Sequence, residues 1–330
     1  MDSSHFGTRQ REEPVLAKYA KLSAAMPSIT TLDNLWTGRP HTIAAALLES
    51  GGHRSIVDPG PGSTLETFHQ QLQAHGLGVR DLDAIFLTHI HLDHAGATGA
   101  LVRENPRLTV YVHKAGAPHV IDPTKLLASA QRLWPNDLQR LFGESLPVPA
   151  ENLRVLEGGE MLTLGSRKIE VVYTPGHASH HVSYFDQAEG VAFVGDTAGV
   201  RIEGNSFAMP ATPPPDIDLE IWDKSFAAIL ERKPARLFLT HYGYSDNPSE
   251  HILLFRERLH RWAALAAEVL RSAASDSAAM DSFMSATYAE ISKHVGSEAE
   301  HYAFSAGLNL SFLGLQRYLR KRAAAASSVA

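Results

Sequence analysis

Histidine and aspartate are concentrated in one short run of the chain. The sequence THIHLDH at 88–94 places His89, His91, Asp93 and His94 directly after an apolar stretch that is typical of a buried strand. In an extended backbone, residues two apart point to the same side, so His89 and His91 would face one way. Composition alone predicts only about 0.003 such runs in a chain of this kind. The run therefore indicates a metal-binding loop rather than a chance cluster.

Three further apolar stretches end in a residue that can ligate a metal ion. They lead into TPGH at 174–177, GD at 195–196 and TH at 240–241. Glycine and proline beside such residues favour sharp turns that project one side chain into a cleft. Each segment alone could be an ordinary turn, so the prediction depends on their joint recurrence at the ends of separate predicted strands.

Composition limits what such a site can be. The chain has 330 residues, 18 His, no Cys and a formal net charge of −6. Without Cys there is no thiolate ligand, Cys nucleophile or disulfide, so a metal site must use nitrogen and oxygen ligands. The acidic balance lacks the basic field of a nucleic-acid binder. No stretch approaches the ~18 apolar residues of a membrane span, and we expect a cytoplasmic protein that does not bind membranes.

The elements that position these residues alternate between strands and helices, which favours a layered α/β architecture. Short apolar runs bounded by turn residues predict strands at 43–48, 55–57, 84–88, 109–113, 169–173, 181–185, 191–194 and 237–240. Helices are predicted at 64–75, 98–104, 123–142, 219–231, 280–294 and 303–322, with another over the periodic apolar residues from Ile252 to Val269. We expect an N-terminal leader at 1–28, a catalytic domain at 29–249 and a helical C-terminal subdomain at 250–330.

With these motifs in place, the sequence resembles the metallo-β-lactamase-fold hydrolase superfamily over residues 29–249. Besides the segments above, the superfamily's early aspartate matches Asp58 in IVDPG at 56–60. The resemblance implies an αββα sandwich with the site at one edge between its two sheets. It also implies that one metal takes His89, His91 and His177, that the other takes Asp93, His94 and His241, and that Asp196 bridges both.

The chemistry implied by this resemblance is hydrolysis at a pair of divalent cations. We expect zinc first, with iron or manganese as alternatives, because N/O ligands do not select among them. A metal-bridging hydroxide would attack a carbonyl, and Asp93 would help to orient this nucleophile. The superfamily's β-lactamases usually have Cys where this chain has Asp196, so the sequence is more similar to glyoxalase II and lactonases. The expected substrate is an ester, lactone or thioester of a small molecule.

Other side chains are candidates for supporting roles around the ligands and the substrate. Asp58 and His181 are expected to orient ligands, since metal-bound histidines usually donate their other N–H to a polar partner. His180 is expected to face solvent, and His251 to lie on the surface. The candidate substrate-pocket residues are Trp134, Phe142, Tyr242 and Tyr244. The C-terminal helices are expected to cover part of the cleft or to mediate contacts in a homodimer.

Three alternatives to the hydrolase remain open from the sequence. The first is a mononuclear iron enzyme of the sulfur-dioxygenase type on the same fold. The second is phosphodiester or RNA cleavage, which the acidic balance disfavours, so we expect a small-molecule substrate and no nucleic-acid partner. The third is a catalytically silent binding or regulatory protein, which the intact ligand set disfavours.

Overall fold

A computed structural model describes residues 28–202 and 204–327, and its framework is a pair of six-stranded sheets. The first sheet contains β1 (Ser28–Asp33), β2 (Ala44–Ser50), β3 (His53–Val57), β4 (Ala84–Phe86), β5 (Thr109–His113) and β6 (Leu153–Leu156) in spatial order. The second contains β7 (Met161–Leu164), β8 (Arg167–Tyr173), β9 (Val182–Asp186), β10 (Val191–Phe193), β11 (Arg236–Leu239) and β12 (Gly243–Ser245), also in order.

Strand direction brings the motif segments to one edge of each sheet. In the first sheet β1, β2 and β3 are antiparallel, and β3, β4, β5 and β6 run parallel. In the second sheet β8 and β10 are both antiparallel to β9, and β10 is parallel to β11. The carboxyl ends of β8, β10 and β11 therefore lie at a common edge, and these are the ends from which TPGH, GD and TH follow.

Successive side chains of a strand point to opposite faces, so each sheet has one face toward the other sheet and one face toward helices. One face of β2, with Ala44 and Ala46, packs between the sheets against Val171 and Phe193. The other face of the first sheet packs against helix α1 (Leu65–Ala74). The outer face of the second sheet packs against helices. The order is therefore helix, sheet, sheet, helix, and the predicted αββα sandwich is confirmed.

The remaining helices connect the strands or follow the second sheet. They are α2 (Leu92–Ala95), α3 (Thr98–Glu104), α4 (Ala117–Ile121), α5 (Thr124–Leu133), α6 (Leu138–Phe142), α7 (Leu219–Glu231), α8 (Pro248–Ser272), α9 (Asp276–Val295), α10 (Ala299–Ala306) and α11 (Leu308–Ser327). Helices α7 to α11 share one core with the second sheet, in which Trp222, Phe255 and Phe312 are fully buried. A C-terminal helical region is thus present, as predicted.

Two predicted helices are each divided in the structure. The one predicted at 123–142 becomes α5 and α6, because Pro135 lacks the N–H that a continuing helix needs. The one predicted at 303–322 begins earlier and is divided at Gly307, whose φ of 60° lies in the left-handed region. The eight predicted strands are present with ends shifted by at most two residues, while β1, β6, β7 and β12 were not predicted.

The proposed leader at 1–28 falls almost entirely outside the described residues, and the domain limits at 249 and 250 stay a prediction. Within residues 28–202 and 204–327, the structure contains no helix with the length and apolarity needed to cross a bilayer.

Candidate metal centre

Three histidines from two separate motifs form the first half of the site. His89 and His91 lie in the loop between β4 and α2, and His177 lies after β8. The Nδ1 atom of His91 is 3.0 Å from Nε2 of His89 and 3.0 Å from Nε2 of His177. All three offer a ring nitrogen to one small volume, so together they could hold a metal ion.

The second half combines a carboxylate with two histidines. Nε2 of His241 is 3.1 Å from Oδ2 of Asp93, and Nε2 of His94 is 3.8 Å from the same oxygen. Asp196 lies between the halves: its Oδ1 is 3.1 Å from Nε2 of His94, and its Oδ2 is 3.5 Å from Nε2 of His177. The seven residues named in these two paragraphs are called the cage from here on. The structure brings all seven together, with one carboxylate oxygen of Asp196 facing each half.

A buried carboxylate beneath the cage fixes two of its histidines. Asp58 is fully buried and accepts a hydrogen bond from Nδ1 of His94 at 2.9 Å. It also accepts bonds from the Thr88 hydroxyl at 2.6 Å and the Thr240 hydroxyl at 2.8 Å. Because the Thr88 hydroxyl donates to Asp58, it can accept from Nδ1 of His89, 3.1 Å away. Both rings are thereby held with Nε2 facing the cage.

Backbone carbonyls fix two other cage histidines in the same orientation. Nδ1 of His241 donates to the carbonyl of Thr42 at 2.8 Å, and Nδ1 of His177 donates to the carbonyl of Ala211 at 3.0 Å. A ring whose Nδ1 donates to a carbonyl directs Nε2 into the cage, and Nε2 binds a metal ion once it carries no proton. The supporting bonds therefore prepare these side chains for cation binding.

His181 holds the loop that carries Asp196. The ring is fully buried, and its Nε2 accepts from the backbone N–H of Asp196 at 3.3 Å. Its Nδ1 lies 3.1 Å from each of the hydroxyls of Thr174 and Thr197. Gly195 has a φ of 46°, and a Cβ there would lie 2.7 Å from the His181 ring, so this tight approach requires glycine. Its position is that of a residue that orients the Asp196 loop.

The three histidines of the first half are uncharged. Burial lowers the pKa of His91 to about 4, with a further contribution from the neighbouring His177. Burial likewise holds the pKa of His89 well below the usual value and lowers that of His177. Neutral imidazoles have a free lone pair, so a cation entering this half displaces no proton from these three rings at neutral pH.

The second half is charged. Burial alone would lower the pKa of His94, but Asp196, Asp93 and Asp58 outweigh it and raise the pKa well above the usual value. The pKa of His241 is also raised, since Asp196 and the bond to Asp93 outweigh burial. Burial opposes ionisation of Asp93, yet His94 and His241 lower its pKa to about 2. A cation entering this half must therefore displace protons from histidine.

Two buried atoms of the cage show that a cation fits. Nε2 of His94 and Oδ1 of Asp196 form an ion pair at 3.1 Å, but neither atom has a hydrogen bond of good geometry among the residues that the structure describes. An unpartnered buried polar atom is costly, and metal coordination is one way to satisfy it. The donor set is made of imidazole and carboxylate, which suits zinc, iron and manganese. The residues present thus fit the predicted divalent cations.

The cage lies at the floor of a cavity of about 610 Å³. His91, Asp93, His177, Asp196 and His241 line this floor. Trp134 and Phe142, predicted as pocket residues, also line the cavity. Residues 303–307, 309 and 310 from the C-terminal helices line it too, which agrees with the expectation that these helices cover part of the cleft.

The prediction that Tyr242 and Tyr244 line the pocket was wrong. Tyr242 is 5% exposed and belongs to the apolar layer between the sheets. Tyr244 pairs with Phe238 across β11 and β12, and its ring packs on Phe238 at 5.2 Å and under Arg236 at 4.3 Å. The chain turns back into the sheet directly after His241, so both rings lie away from the cavity.

Two histidines that were expected at the surface are buried. His180 is 9% exposed and lines the cavity, where its Nδ1 accepts a bond of 3.4 Å from the N–H of Ile90. His251 is 7% exposed and donates from Nε2 to the carbonyl of Ala198 at 2.8 Å. Trp36 and Phe304 line the cavity and were not predicted. Nothing in the local sequence marks these two, since each comes near the cavity only through the fold.

Comparison with known families agrees with this geometry. The sequence model of the metallo-beta-lactamase superfamily matches residues 38–241, which is more than half of the chain and includes the whole cage. The chain belongs to the metallo-beta-lactamase superfamily. The resemblance inferred from the motifs is therefore confirmed, and metal-dependent hydrolysis is the prevailing chemistry of this superfamily.

Relatives by sequence match only part of the chain. It is 31% identical over 166 residues to the metallo-beta-lactamase fold-containing protein ST1585 of Sulfurisphaera tokodaii, covering 49% of this chain and 61% of that protein. It is 30% identical over 172 residues to a hydroxyacylglutathione hydrolase of Aeromonas hydrophila, covering 50% of this chain and 52% of the relative. The chain thus spans between half and two thirds of the length of these relatives.

Solved structures match over more of the chain. The crystal structure of ST1585 superposes with a TM-score of 0.62 at 21% identity, covering 88% of this chain and 99% of that one. A metallo-beta-lactamase family protein of Thermus thermophilus, TTHA1429, gives 0.61 at 18% identity, covering 89% and 94%. At these identities the matches establish the fold alone.

Proposed function

We propose that the protein is a hydrolase that uses two divalent cations to cleave an ester, thioester or lactone of a small molecule. The observation that carries this proposal is the shared carboxylate of Asp196, whose two oxygens face two separate, complete ligand groups. The similarity to a hydroxyacylglutathione hydrolase favours a thioester within this range.

Each half of the cage would hold one cation. One ion would take the three histidines of the first half, and the other would take Asp93, His94 and His241, with Asp196 shared. Such a pair of cations lowers the pKa of water toward neutrality and polarises a substrate carbonyl. Zinc is our first choice, with iron or manganese as alternatives on these ligands.

Asp93 is the cage carboxylate that can act on the nucleophile. Its side chain is 21% exposed toward the cavity, whereas that of Asp196 is 5% exposed. One oxygen accepts from His241 at 3.1 Å, and the low pKa of about 2 keeps the group ionised at neutral pH. An ionised carboxylate accepts hydrogen bonds, so Asp93 can orient a water molecule at the edge of the cavity.

The test is turnover of a substrate panel by protein loaded separately with zinc, iron and manganese. We expect hydrolysis of at least one ester, thioester or lactone, and its loss after chelation. Asp196→Ala and His91→Ala should each lower kcat/KM on the order of a thousandfold, because cation catalysis supplies several kcal/mol. His75→Ala is the matched control, because His75 is exposed and distant from the motifs.

Three results would contradict the proposal. Full activity in Asp196→Ala would exclude the shared carboxylate from the reaction. One iron per chain with oxygen consumption and no hydrolysis would favour the sulfur-dioxygenase alternative. Failure to bind any of the three metals would favour a silent binding protein.

A further inference from the structure

The walls of the cavity come from two separate parts of the chain. Leu126, Leu133 and Trp134 lie on α5 or directly after it, and Phe142 ends α6. The opposite wall is formed by α10 and the start of α11, with Phe304 the large apolar side chain of α10 that faces the cavity. Both segments are therefore needed to enclose the space above the cage.

One aromatic cluster joins the two walls. The ring of Trp36 lies 5.8 Å from that of Phe142 and 5.2 Å from that of Phe304, and Trp134 meets Phe142 edge-on at 4.9 Å. The indole N–H of Trp36 donates to the carbonyl of Leu141 at 2.6 Å, so its polar atom is satisfied. One apolar cluster thus joins the two walls, and it exists before any ligand enters.

Outside the cage, the acidic and basic side chains that line the cavity are Lys125, Asp137, Arg140 and Asp216, and all of them reach solvent. Lys125 is exposed, and Arg140 and Asp137 are paired with each other at 2.8 Å while half or more of each side chain is exposed. Besides the cage, the titratable side chains His119 and His180 line the cavity, and His180 is 9% exposed. A ligand would therefore place its polar, reactive part on the floor and its apolar part against the walls.

We infer that the cavity holds a sizeable apolar group, alkyl or aromatic, attached directly to the bond that the cage hydrolyses. This inference rests on the proposed function and names the substrate class within it. A volume of about 610 Å³ is in the range of pockets that hold small-molecule ligands, roughly 300–1,000 Å³. Each methylene moved from water onto such walls should raise kcat/KM about three- to fivefold until the cavity is full.

The first experiment measures kcat/KM for two ester series with the metal-loaded full chain. In one series the acyl group grows from acetyl through butanoyl and hexanoyl to octanoyl on a constant small alcohol. In the other series the alcohol grows by the same steps on a constant acetyl group. We expect a steep rise in one series, which also identifies the part of the substrate that occupies the cavity. If kcat/KM did not change with the length of either group, the inference would be overturned.

The second experiment fills the cavity from the C-terminal wall. Ala303 lies on α10, is half-buried and lines the cavity, so Ala303→Trp should lower kcat/KM at least tenfold more for the largest ester than for the acetyl ester. Ala289→Trp makes the same change at an exposed position of α9 and should alter neither value. Equal losses on both esters in Ala303→Trp would contradict the role of this wall.

A binding measurement separates this inference from the proposed function, because it needs no turnover. Octanoate, butanoate and acetate are titrated into the full chain, with tryptophan fluorescence or calorimetry as the readout. We expect affinity to rise with chain length and the gain to disappear in Ala303→Trp. Octanoate binding without hydrolysis of any ester would overturn the proposed function alone. Hydrolysis with neither a size dependence nor a chain-length effect on binding would overturn the inference alone.

Discussion

The floor and the walls of the cavity are built in opposite ways. On the floor, His94, His177 and His241 are almost fully buried, and each is fixed by a hydrogen bond from its Nδ1. On the walls, Trp134 and Phe304 are only partly buried and are held by ring packing within one apolar cluster. Hydrogen bonds fix direction, whereas apolar packing depends mainly on volume.

This difference assigns separate roles to the two regions. A floor with fixed directions suits a reaction whose geometry is the same for every substrate, while walls defined by volume select among substrates by size. Changes to the floor should therefore lower activity on small and large esters equally. Changes to the walls should act on large esters alone.

The largest effect outside the cage itself is expected from Asp58→Asn. The carboxylate accepts bonds from His94, Thr88 and Thr240, and an amide has one acceptor oxygen and brings a donor among these groups. We expect cation affinity and kcat to fall about 10- to 100-fold, equally for acetyl and octanoyl esters. Chelator competition and steady-state kinetics measure the two quantities.

The matched control is Asp276→Asn, which changes an exposed carboxylate paired with Arg320. It should change neither the cation affinity nor kcat. A loss in Asp58→Asn confined to octanoyl esters would break the separation between floor and walls.

A smaller and selective effect is expected from Trp134→Ala. This side chain lines the cavity and packs on Phe142, but it touches no cage residue through a hydrogen bond that the structure describes. We expect kcat/KM for the octanoyl ester to fall about tenfold, because apolar contact area is lost. Activity on the acetyl ester should be unchanged, so the ratio of the two values is the measurement. A parallel loss on both esters would contradict the assignment of Trp134 to selection.

Thr42 is one point where floor and walls are linked. Its backbone carbonyl accepts from the cage residue His241, and its hydroxyl shares a hydrogen bond of 2.7 Å with His301 of α10. Thr42→Val removes the hydroxyl and keeps the carbonyl, so we expect KM for large esters to rise two- to threefold at constant kcat. A double-mutant cycle with His301→Ala should give a coupling free energy of about 1 kcal/mol. A fall in kcat on acetyl esters would show that the floor depends on the wall.

The smallest effect on activity is expected from His251→Gln, which tests stability outside both regions. Burial lowers the pKa of His251 to about 4, whereas an unfolded histidine titrates near 6.5. Between pH 4 and 6.5, His251 binds fewer protons in the folded protein than in the unfolded chain. Its contribution to the free energy of unfolding is therefore fully present above pH 6.5 and is lost as pH falls toward 4. Between pH 7.5 and 5, wild type should lose about 2 kcal/mol more unfolding free energy than His251→Gln.

Denaturant unfolding at the two pH values measures this difference, and exposed His75→Ala serves as the control. The size preference of His251→Gln at pH 7.5 should equal that of wild type. If the free energy of unfolding changed equally with pH in wild type and in His251→Gln, His251 would have the same pKa in the folded and unfolded states.

The cage could be predicted because its residues stand at strand ends in short motifs. His89, His91, His177 and His241 each follow an apolar run, and the family resemblance that these motifs support implied how they group around two metals. Asp58, which follows β3, was found through the family resemblance as the superfamily's early aspartate. The confirmed αββα sandwich followed from the family resemblance that these motifs support.

The walls could not be predicted at the same level because packing between distant segments decides them. Trp36 and Phe304 are 268 positions apart and meet only in the folded chain. Tyr242 was misplaced for the same reason, since adjacency to a ligand does not say which face of the sheet a side chain occupies. His180 was missed because a second histidine near TPGH carries no sign of its burial.

The most direct test of the central claim is the number of divalent cations bound per chain, measured by elemental analysis after loading and removal of free metal. Wild type is expected to bind two ions, and the ion at Asp93, His94 and His241 should be lost first as pH falls, because both histidines regain protons there. A single ion per chain at saturation, or two ions whose removal leaves ester and thioester hydrolysis unchanged, would contradict it.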